Sequence, residues 1–379
     1  MKAFLTWLAT LPPLAQVPIV IGAFVAVIAI VIFFIEIAPR SGRKYTIIRL
    51  AVCVLVPVLV FIFLGSIPWA AAGAAVIGGL FFLLDFRSRE GAGYLVQLVL
   101  FLAPAIVLLA IGLVYPIIST TFAAFMNSRG TRFVGLENFD WVFDPSGPGI
   151  RVVLNTIVWV LIVPIVSTIL GLAYAVFIDK SRGEKFFKIL VFMPMAISFV
   201  GASVIWRFVY DANPADQAQI GLLNQIVVLF GGSPVEWLQN SPWNTFFLIV
   251  VLIWVQTGFA MVVLSAAIKG VPAEQMEAAE LDGTSAWQRF INVTVPGIRS
   301  SLIVVLTTIT IGALKVYDIV AVMTGGRANT TVLGFEMVNQ QQRFQSYGHS
   351  AALAVVLFLF VLPLIIYNAN QIRKQREIR

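Results

Sequence analysis

Apolar runs of about 20 residues recur along this chain, and short polar segments separate them. A helix needs about 20 apolar residues to cross the hydrocarbon core of a bilayer. The runs do not alternate between apolar and polar residues, as the strands of a membrane β-barrel do. Because lipid offers no partner to backbone polar groups, uninterrupted helices are the conformation that these runs favour. The sequence therefore predicts an all-α polytopic membrane protein embedded in the lipid bilayer.

The composition agrees with this class and argues against several others. Only 11% of the 379 residues are charged and 60% are hydrophobic, whereas about 25% of the residues in a soluble domain are charged. Cys53 is the single cysteine and His349 the single histidine, so we expect no disulfide and no metal site. The net charge of +7 comes from Lys and Arg in short loops, as membrane orientation requires. We therefore expect no nucleic-acid partner.

The apolar runs predict about nine transmembrane helices. We divide the chain into an N-terminal membrane region with three spans (1–90), a six-helix core (91–370) and a basic tail (371–379). The predicted spans are residues 17–38, 46–66, 68–84, 95–121, 152–178, 187–209, 244–268, 301–323 and 350–370.

The distribution of basic residues predicts the orientation of the chain. With the N-terminus outside, the inner segments hold 17 of the 25 Lys and Arg residues, the outer segments hold seven, and Lys315 lies within a span. Because Lys and Arg concentrate on the cytoplasmic side, we expect loop 269–300 and the C-terminus in the cytoplasm. The outer loops 122–151 and 210–243 are longer and carry several aromatic residues. They are candidates for contact with an extracytoplasmic partner, and an aromatic belt at the membrane interface is the alternative interpretation.

Loop 269–300 has the pattern of two short helices joined at a glycine. Pro272 suits the start of a helix, and Gly283 can adopt the left-handed conformation that ends one. Residues 277–283 read Glu-Ala-Ala-Glu-Leu-Asp-Gly. We predict that Asp282 caps the second helix, and an ordinary amphipathic interfacial helix is the alternative. The apolar edge of the second helix would consist of Trp287, Phe290, Ile291 and Val295.

The pattern E-A-A-x-x-D-G with a later V-P resembles the cytoplasmic EAA loop of ABC-importer permeases. Residues 95–370 as a whole resemble the six-helix permease core of the MalF-like sugar branch, which includes maltose, α-glucoside and trehalose permeases. The three N-terminal spans lie outside this common core, and the chain has Arg327 where the family often has proline. Other stretches that carry the resemblance are residues 133–139, 155–156, Pro194, Trp206, 317–320, 323–326 and 347–348.

The resemblance implies one of the two transmembrane subunits of an ATP-driven sugar importer in a bacterial or archaeal inner membrane. The implied partners are a second permease subunit, a dimer of ATP-binding cassette ATPases and an extracytoplasmic solute-binding protein. Since the chain lacks a G-x-x-x-x-G-K-[ST] phosphate loop, ATP and magnesium would bind the ATPase. This chain would then be no enzyme, without catalytic residues or a cofactor of its own. The residues implied in coupling to the ATPase are Glu277, Ala278, Ala279, Asp282 and Gly283.

The resemblance also implies a sugar site on the spans before and after the loop. Phe259 would stack on a pyranose ring and Gln256 would hydrogen-bond hydroxyl groups. The positions on the following span are spaced i, i+3, i+4 and i+7 and would share one helix face. Helix–helix packing through small residues is the alternative for that face. Its members are Ile309, Gly312, Ala313 and Val316.

Lys315 and Asp318 form a predicted intramembrane charge pair. They lie three residues apart, so an uninterrupted helix would place them on one face. Charged groups within a span are costly and usually functional. We expect an internal ion pair near the outer end of the span, and a gate or a wall of the sugar cavity is the other interpretation.

A different class of transporter is the alternative function. An ion-driven secondary transporter of a small polar solute would show paired repeats, broken helices and intramembrane acids. In the sequence only Asp318 is clearly an intramembrane acid. A membrane-embedded enzyme would need converging carboxylates or an interfacial histidine, and the sequence predicts neither.

Overall fold

The computed structural model describes residues 102, 106, 109–178 and 181–377. The chain divides into two compact units, Met1–Tyr115 and Pro116–Arg379, and most of the described residues belong to the second. The predicted spans 17–38, 46–66 and 68–84 lie outside the described residues. The same holds for the predicted boundary at residues 90–91, so that division stays a prediction.

Helices make up the regular secondary structure of the part of the chain that is described. A 3-10 turn, Met193–Ala196, extends the helix Glu184–Phe192, and a π-helical turn, Phe290–Thr294, with the turn Val295–Gly297 extends the helix Ala286–Arg289. In chain order the helices are α1 (Tyr115–Ala123), α2 (Glu137–Phe143), α3 (Pro148–Ile178), α4 (Glu184–Phe192), α5 (Phe199–Val209), α6 (Leu222–Leu229), α7 (Trp243–Lys269), α8 (Ala273–Leu281), α9 (Ala286–Arg289), α10 (Arg299–Leu314), α11 (Asp318–Met323), α12 (Leu333–Gln342) and α13 (Tyr347–Glu377).

Three described helices are long and apolar enough to cross a membrane, namely α3, α7 and α13 over Tyr347–Tyr367. They correspond to the predicted spans 152–178, 244–268 and 350–370. Two further candidates are bent pairs: α4 with its 3-10 turn meets α5 at 103°, and the α9 segment meets α10 at 70°. The described residues therefore contain three spans, or five if each bent pair crosses once. The total of nine stays a prediction.

The predicted span 187–209 is not one helix. Pro194 lies in the 3-10 turn, and Ser198 is extended, with φ −62° and ψ 151°. The Ser198 hydroxyl accepts a hydrogen bond from the Gly201 backbone N–H at 3.1 Å and so begins α5 as a new helix.

The predicted span 301–323 is also interrupted, because α10 ends at Leu314 and α11 begins at Asp318. The start of α12 packs against this break. A Cβ at Gly334 would lie 2.7 Å from the Val316 carbonyl oxygen, and the Tyr317 ring stacks on Phe335 at 5.8 Å. These contacts come from residues 18 positions further along the chain, so the hydropathy of the span alone did not reveal the break.

Close packing of small residues holds α7 against its neighbours. A Cβ at Gly171 of α3 would lie 2.4 Å from the Ala260 side chain, and one at Gly258 would lie 2.6 Å from the Val191 carbonyl oxygen. Lipid tails are as apolar as the side chains, so van der Waals contact rather than escape from water stabilises such helix pairs. Large side chains that are fully buried in this core include Trp159, Leu248, Leu252, Met261 and Ile309.

Candidate functional site

The segment 273–297, which we call the elbow, joins the membrane helices α7 and α10 and begins with α8. Gly283 follows the end of α8 with φ 74°, so the predicted left-handed conformation is confirmed. The Gly283 N–H donates to the Glu280 carbonyl at 3.0 Å, and the Thr284 N–H donates to the Ala279 carbonyl at 3.2 Å. This pair of bonds is the Schellman motif, which satisfies the last carbonyls of a helix and turns the chain sharply.

The cap of α9 differs from the prediction. Ser285 is the N-cap residue: its Oγ accepts from the Gln288 N–H at 3.3 Å, and Gln288 Oε1 accepts from the Ser285 N–H at 2.7 Å. Asp282 instead occupies the C-cap position of α8, so the prediction that it caps the second helix is wrong. The sequence Ser285-x-x-Gln288 has the spacing of a capping box, and that signal was present in the sequence.

Side-chain contacts tie the two halves of the elbow together. The Arg289 guanidinium donates to the Thr284 carbonyl at 2.7 Å and lies 3.7 Å from a carboxylate oxygen of Glu280. The Thr294 hydroxyl lies 3.8 Å from the Met276 sulfur. The angle between α8 and α9 is therefore set by contacts within the elbow itself.

The predicted coupling residues lie on the exposed surface of the elbow. Glu277, Ala278, Asp282 and Gly283 are exposed, and Ala279 is partly buried. Among the residues described here, the Glu277 carboxylate has no hydrogen bond or ion pair.

Apolar side chains also project from the elbow. Leu281 is 89% exposed and Trp287 is 67% exposed, and the Trp287 ring stacks on Phe290 at 5.6 Å. Of the predicted apolar edge, Trp287 and Ile291 are exposed, and Phe290 and Val295 are partly buried. A projection with an apolar tip and an unpaired carboxylate has the chemistry of a contact surface.

An ionic cluster that the sequence reasoning missed lies at the base of the elbow. Glu184, at the start of α4, accepts from Lys188 at 2.8 Å and also from Lys269, the last residue of α7. Lys188 donates in addition to the Ser265 hydroxyl at 2.6 Å. Glu and Lys four residues apart in this order favour contact on a helix, and this was the available signal. The cluster links the bent span to the point where the elbow begins.

The predicted sugar-site residues do not all lie together in the structure. Gln256 and Gly312 lie together, since a Cβ at Gly312 would be 3.3 Å from Gln256 Nε2. No group in the described residues hydrogen-bonds the Gln256 side chain, and Phe259 packs against the core. Val316 lies beyond the end of α10, so the four predicted positions do not share one helix face. Ile309, Ala313 and Val316 are buried, which favours the packing alternative for these three.

Lys315 and Asp318 do not form the predicted pair. Lys315 is the C-cap of α10, Asp318 is the first residue of α11, and no ion pair in the described residues joins them. Each charge lies at the helix end that suits its sign. The expectation that the two share one helix face is wrong because the helix breaks between them.

Comparison with known proteins identifies the class to which this all-helical fold belongs. Residues 152–377 match the family described as binding-protein-dependent transport system inner membrane component. The chain belongs to this family, and the predicted family of transport permeases is confirmed.

Curated relatives span most of the chain. It is 46% identical to the alpha-glucoside transport system permease protein AglF of Rhizobium meliloti, over 73% of this chain and 82% of that protein. It is 44% identical to the osmoprotective compounds uptake permease protein GgtC of Synechocystis sp., over 74% of this chain and 100% of that protein. The trehalose/maltose transport system permease protein MalF of Thermococcus litoralis is 32% identical, over 56% of this chain and 70% of that protein.

A solved structure has the same fold. It is a bacterial ABC transporter involved in the import of the acidic polysaccharide alginate, and one of its chains matches with a TM-score of 0.64 and 20% identity. The match covers 76% of this chain and 99% of that chain. At this identity the likeness concerns the fold and leaves the solute open.

Proposed function

We propose that this chain is one of the two transmembrane subunits of an ATP-driven importer for α-glucosides or related α-linked di- and oligosaccharides, such as maltose and trehalose. It would form half of the translocation pathway, and a second permease subunit would form the other half. The sugar class is supported by the relatives named for alpha-glucoside and trehalose/maltose transport. The observation that carries the coupling role is the exposed elbow with its unpaired Glu277.

The elbow is proposed to dock into a cytoplasmic ATPase. Ala278 and Ala279 would allow close approach, Leu281 would enter an apolar recess, and Glu277 would contact a polar group of the partner. ATP and magnesium would bind that partner, whose closure would draw the elbows of the two permeases together. The Glu184–Lys269 contact supports transmission, because it joins the end of α7, four residues before the elbow, to the bent span at α4. The elbow and the C-terminus would both lie in the cytoplasm.

The sugar is proposed to pass near Gln256. Its side-chain amide has two donors and an acceptor for sugar hydroxyls, and Gly312 leaves room beside it. Phe259 is proposed to contribute from the next turn of α7. A solute-binding protein would deliver the sugar from outside. In a second solved alginate transporter, with a TM-score of 0.62 and 20% identity, the transporter is in complex with an alginate pentasaccharide-bound periplasmic protein.

Affinity purification tests the proposal. The tagged chain would be extracted from its native membrane in mild detergent, and the proteins that accompany it would be identified. We expect a second permease and an ATPase, with the ATPase lost from the variant E277A/G283V. The matched control is E236A/G231V, which changes an exposed acid and another left-handed glycine at the opposite end of α7.

The outcomes separate two classes of transporter. An ATPase that accompanies the wild type and the control, but not the elbow variant, supports coupling through the elbow. Purification of the chain alone, with no difference between the variants, contradicts the proposal and favours an ion-driven secondary transporter.

A further inference from the structure

A small cavity lies at the end of α7 opposite the elbow. Ser241, Pro242 and Thr245, around the start of α7, form one side, and Leu154 of α3 lies on another. The 27 residues of α7, at 1.5 Å each, separate the cavity from the elbow by roughly 40 Å. In the orientation proposed above, the cavity therefore opens on the outer face of the membrane.

Two asparagines hold a strained loop in place as a wall of this cavity. The buried Asn244 donates to the Ala328 carbonyl at 2.8 Å, and Asn155 donates to the Asn329 and Thr331 carbonyls at 2.6 and 2.9 Å. Ala328 and Asn329 have φ 51° and 63°, in the left-handed region that residues other than glycine seldom occupy. Backbone strain of this kind persists where surrounding contacts impose it, often at functional sites.

Arg151 lines the same cavity with Asn155 and Asn329. Its side chain is exposed, and within the described residues it makes no hydrogen bond, ion pair or aromatic contact. The first turn of α3 also contains no acidic residue. Because a positive charge near a helix N-terminus is disfavoured, an anion bound beside Arg151 would be electrostatically favourable.

The size of the cavity limits what the anion can be. The cavity has a volume of about 220 Å³, below the range of about 300–1,000 Å³ that is usual for small-molecule sites. It is therefore small for an oligosaccharide and has room for a single side chain. Leu154 and Pro242 can pack on the aliphatic part of such a side chain, while Arg151 faces its charged end.

We propose that Arg151 is the anchor for an acidic side chain of the extracytoplasmic solute-binding protein. The guanidinium would bind the carboxylate with two parallel hydrogen bonds, and the polar groups of Asn329 and Ser241 would surround it. The inference rests on the proposed function, since it needs a binding protein on the outer face. It adds to that function the place of the contact and its charge.

The test uses the complete importer in lipid nanodiscs and the sugar-loaded binding protein that stimulates the wild-type complex. ATPase activity is measured against binding-protein concentration for the wild type, R151E and R151Q. We expect R151E to raise the half-maximal concentration roughly tenfold at low salt, with the rate at saturation restored. R151Q should show a smaller shift in the same direction, and the difference from the wild type should shrink as salt is raised.

The matched control is R343E, which reverses an exposed arginine that neither lines the cavity nor lies in the outer loops 122–151 and 210–243. It should shift the half-maximal concentration less than about twofold. A charge reversal on the binding protein, with one acidic residue changed to lysine, should restore normal stimulation of R151E and weaken that of the wild type.

Three results would overturn the inference. One is an unchanged half-maximal concentration in assembled R151E and R151Q complexes. Another is a defect confined to acidic sugars, which would assign the cavity to the solute. The third is a wild-type complex that no binding protein stimulates, and this result alone would also contradict the proposed function.

Discussion

Gly231 and Gly283 end their helices in the same way at opposite ends of α7. The angle φ is 79° at Gly231 and 74° at Gly283, and each turn is closed by two backbone bonds of the Schellman pattern. A Cβ at either position would meet nothing within 4 Å. Substitution would therefore cost backbone strain of about 1–3 kcal/mol at either site. Comparing the two sites separates the effect of strain from the effect of location.

We predict that G283V lowers binding-protein-stimulated ATPase activity of the assembled complex at least about tenfold. The physical reason is that valine disfavours the left-handed turn, so α8 and α9 lose their relative orientation. G231V should retain most of the activity at saturating binding protein, because a weaker contact with the outer loop 210–243 would raise the concentration required and leave the rate at saturation unchanged. Both variants should lower the melting temperature of the complex to a similar extent, which thermal unfolding in the same detergent would measure. Equal activity losses in the two variants would show that the elbow has no special role.

At the scale of single residues, the sequence predicted those features that depend only on the backbone conformation of the residue itself. The conformation of Gly283 followed from the need for φ > 0 at a helix end. The assignment of the cap to Asp282 was wrong, because the geometry of the turn after Gly283 decides which side chain reaches the α9 backbone. The assignment of Gln256 and Gly312 to one site was implied only by family resemblance, and their contact joins two helices across more than 50 residues of sequence.

The membrane helices show which elements hydropathy predicts well. Helices α3, α7 and α13 are continuous, and their composition alone satisfied the requirement for an apolar span. The spans predicted at 187–209 and 301–323 are interrupted instead. In the first, Pro194 and the cap at Ser198 are local signals that hydropathy averages out. In the second, the break at Lys315 depends on the packing of α12, which no local pattern contains.

The cap at Ser198 gives a prediction for the bent span. Its hydroxyl satisfies the Gly201 N–H at the start of α5, so S198A should destabilise the chain by about 1 kcal/mol. Thermal unfolding of the purified chain should show a melting temperature lower by a few degrees.

The control for this prediction is S300A, because Ser300 is exposed and has no side-chain hydrogen bond among the described residues. It should leave the melting temperature within about one degree of the wild type. If S198A and S300A had the same melting temperature, the cap at Ser198 would not stabilise the bend.

On the scale of the whole molecule, the described unit has two chemically different ends. One end carries the elbow and the ionic cluster at Glu184, and the other carries the cavity around Arg151. The fold class and the placement of the elbow between spans were predicted from composition and the loop pattern. The cavity was not, because it forms where α3, α7 and residues 327–331 meet in space.

Cysteine labelling from one side of the membrane tests the predicted orientation. Starting from a C53A background, Q275C on α8 and S233C before α7 each introduce one exposed thiol. In intact cells, a maleimide that reaches the outer face of the membrane holding this chain but cannot cross that membrane should label S233C and not Q275C. Inverted vesicles should show the opposite pattern. Labelling of Q275C in intact cells would place the elbow outside and contradict docking to a cytoplasmic ATPase.

The exposed tip of the elbow has a consequence for how the cell must produce this subunit. Leu281 and Trp287 project from the fold, and a subunit made in excess of its partners would present them to chaperones, proteases and other copies of itself. Matched synthesis of the subunits would keep this surface covered from the moment of insertion. The exposed elbow would then allow unassembled subunits to be recognised, in addition to its proposed role in coupling. The lifetime of the lone chain would depend on how quickly a partner subunit binds it.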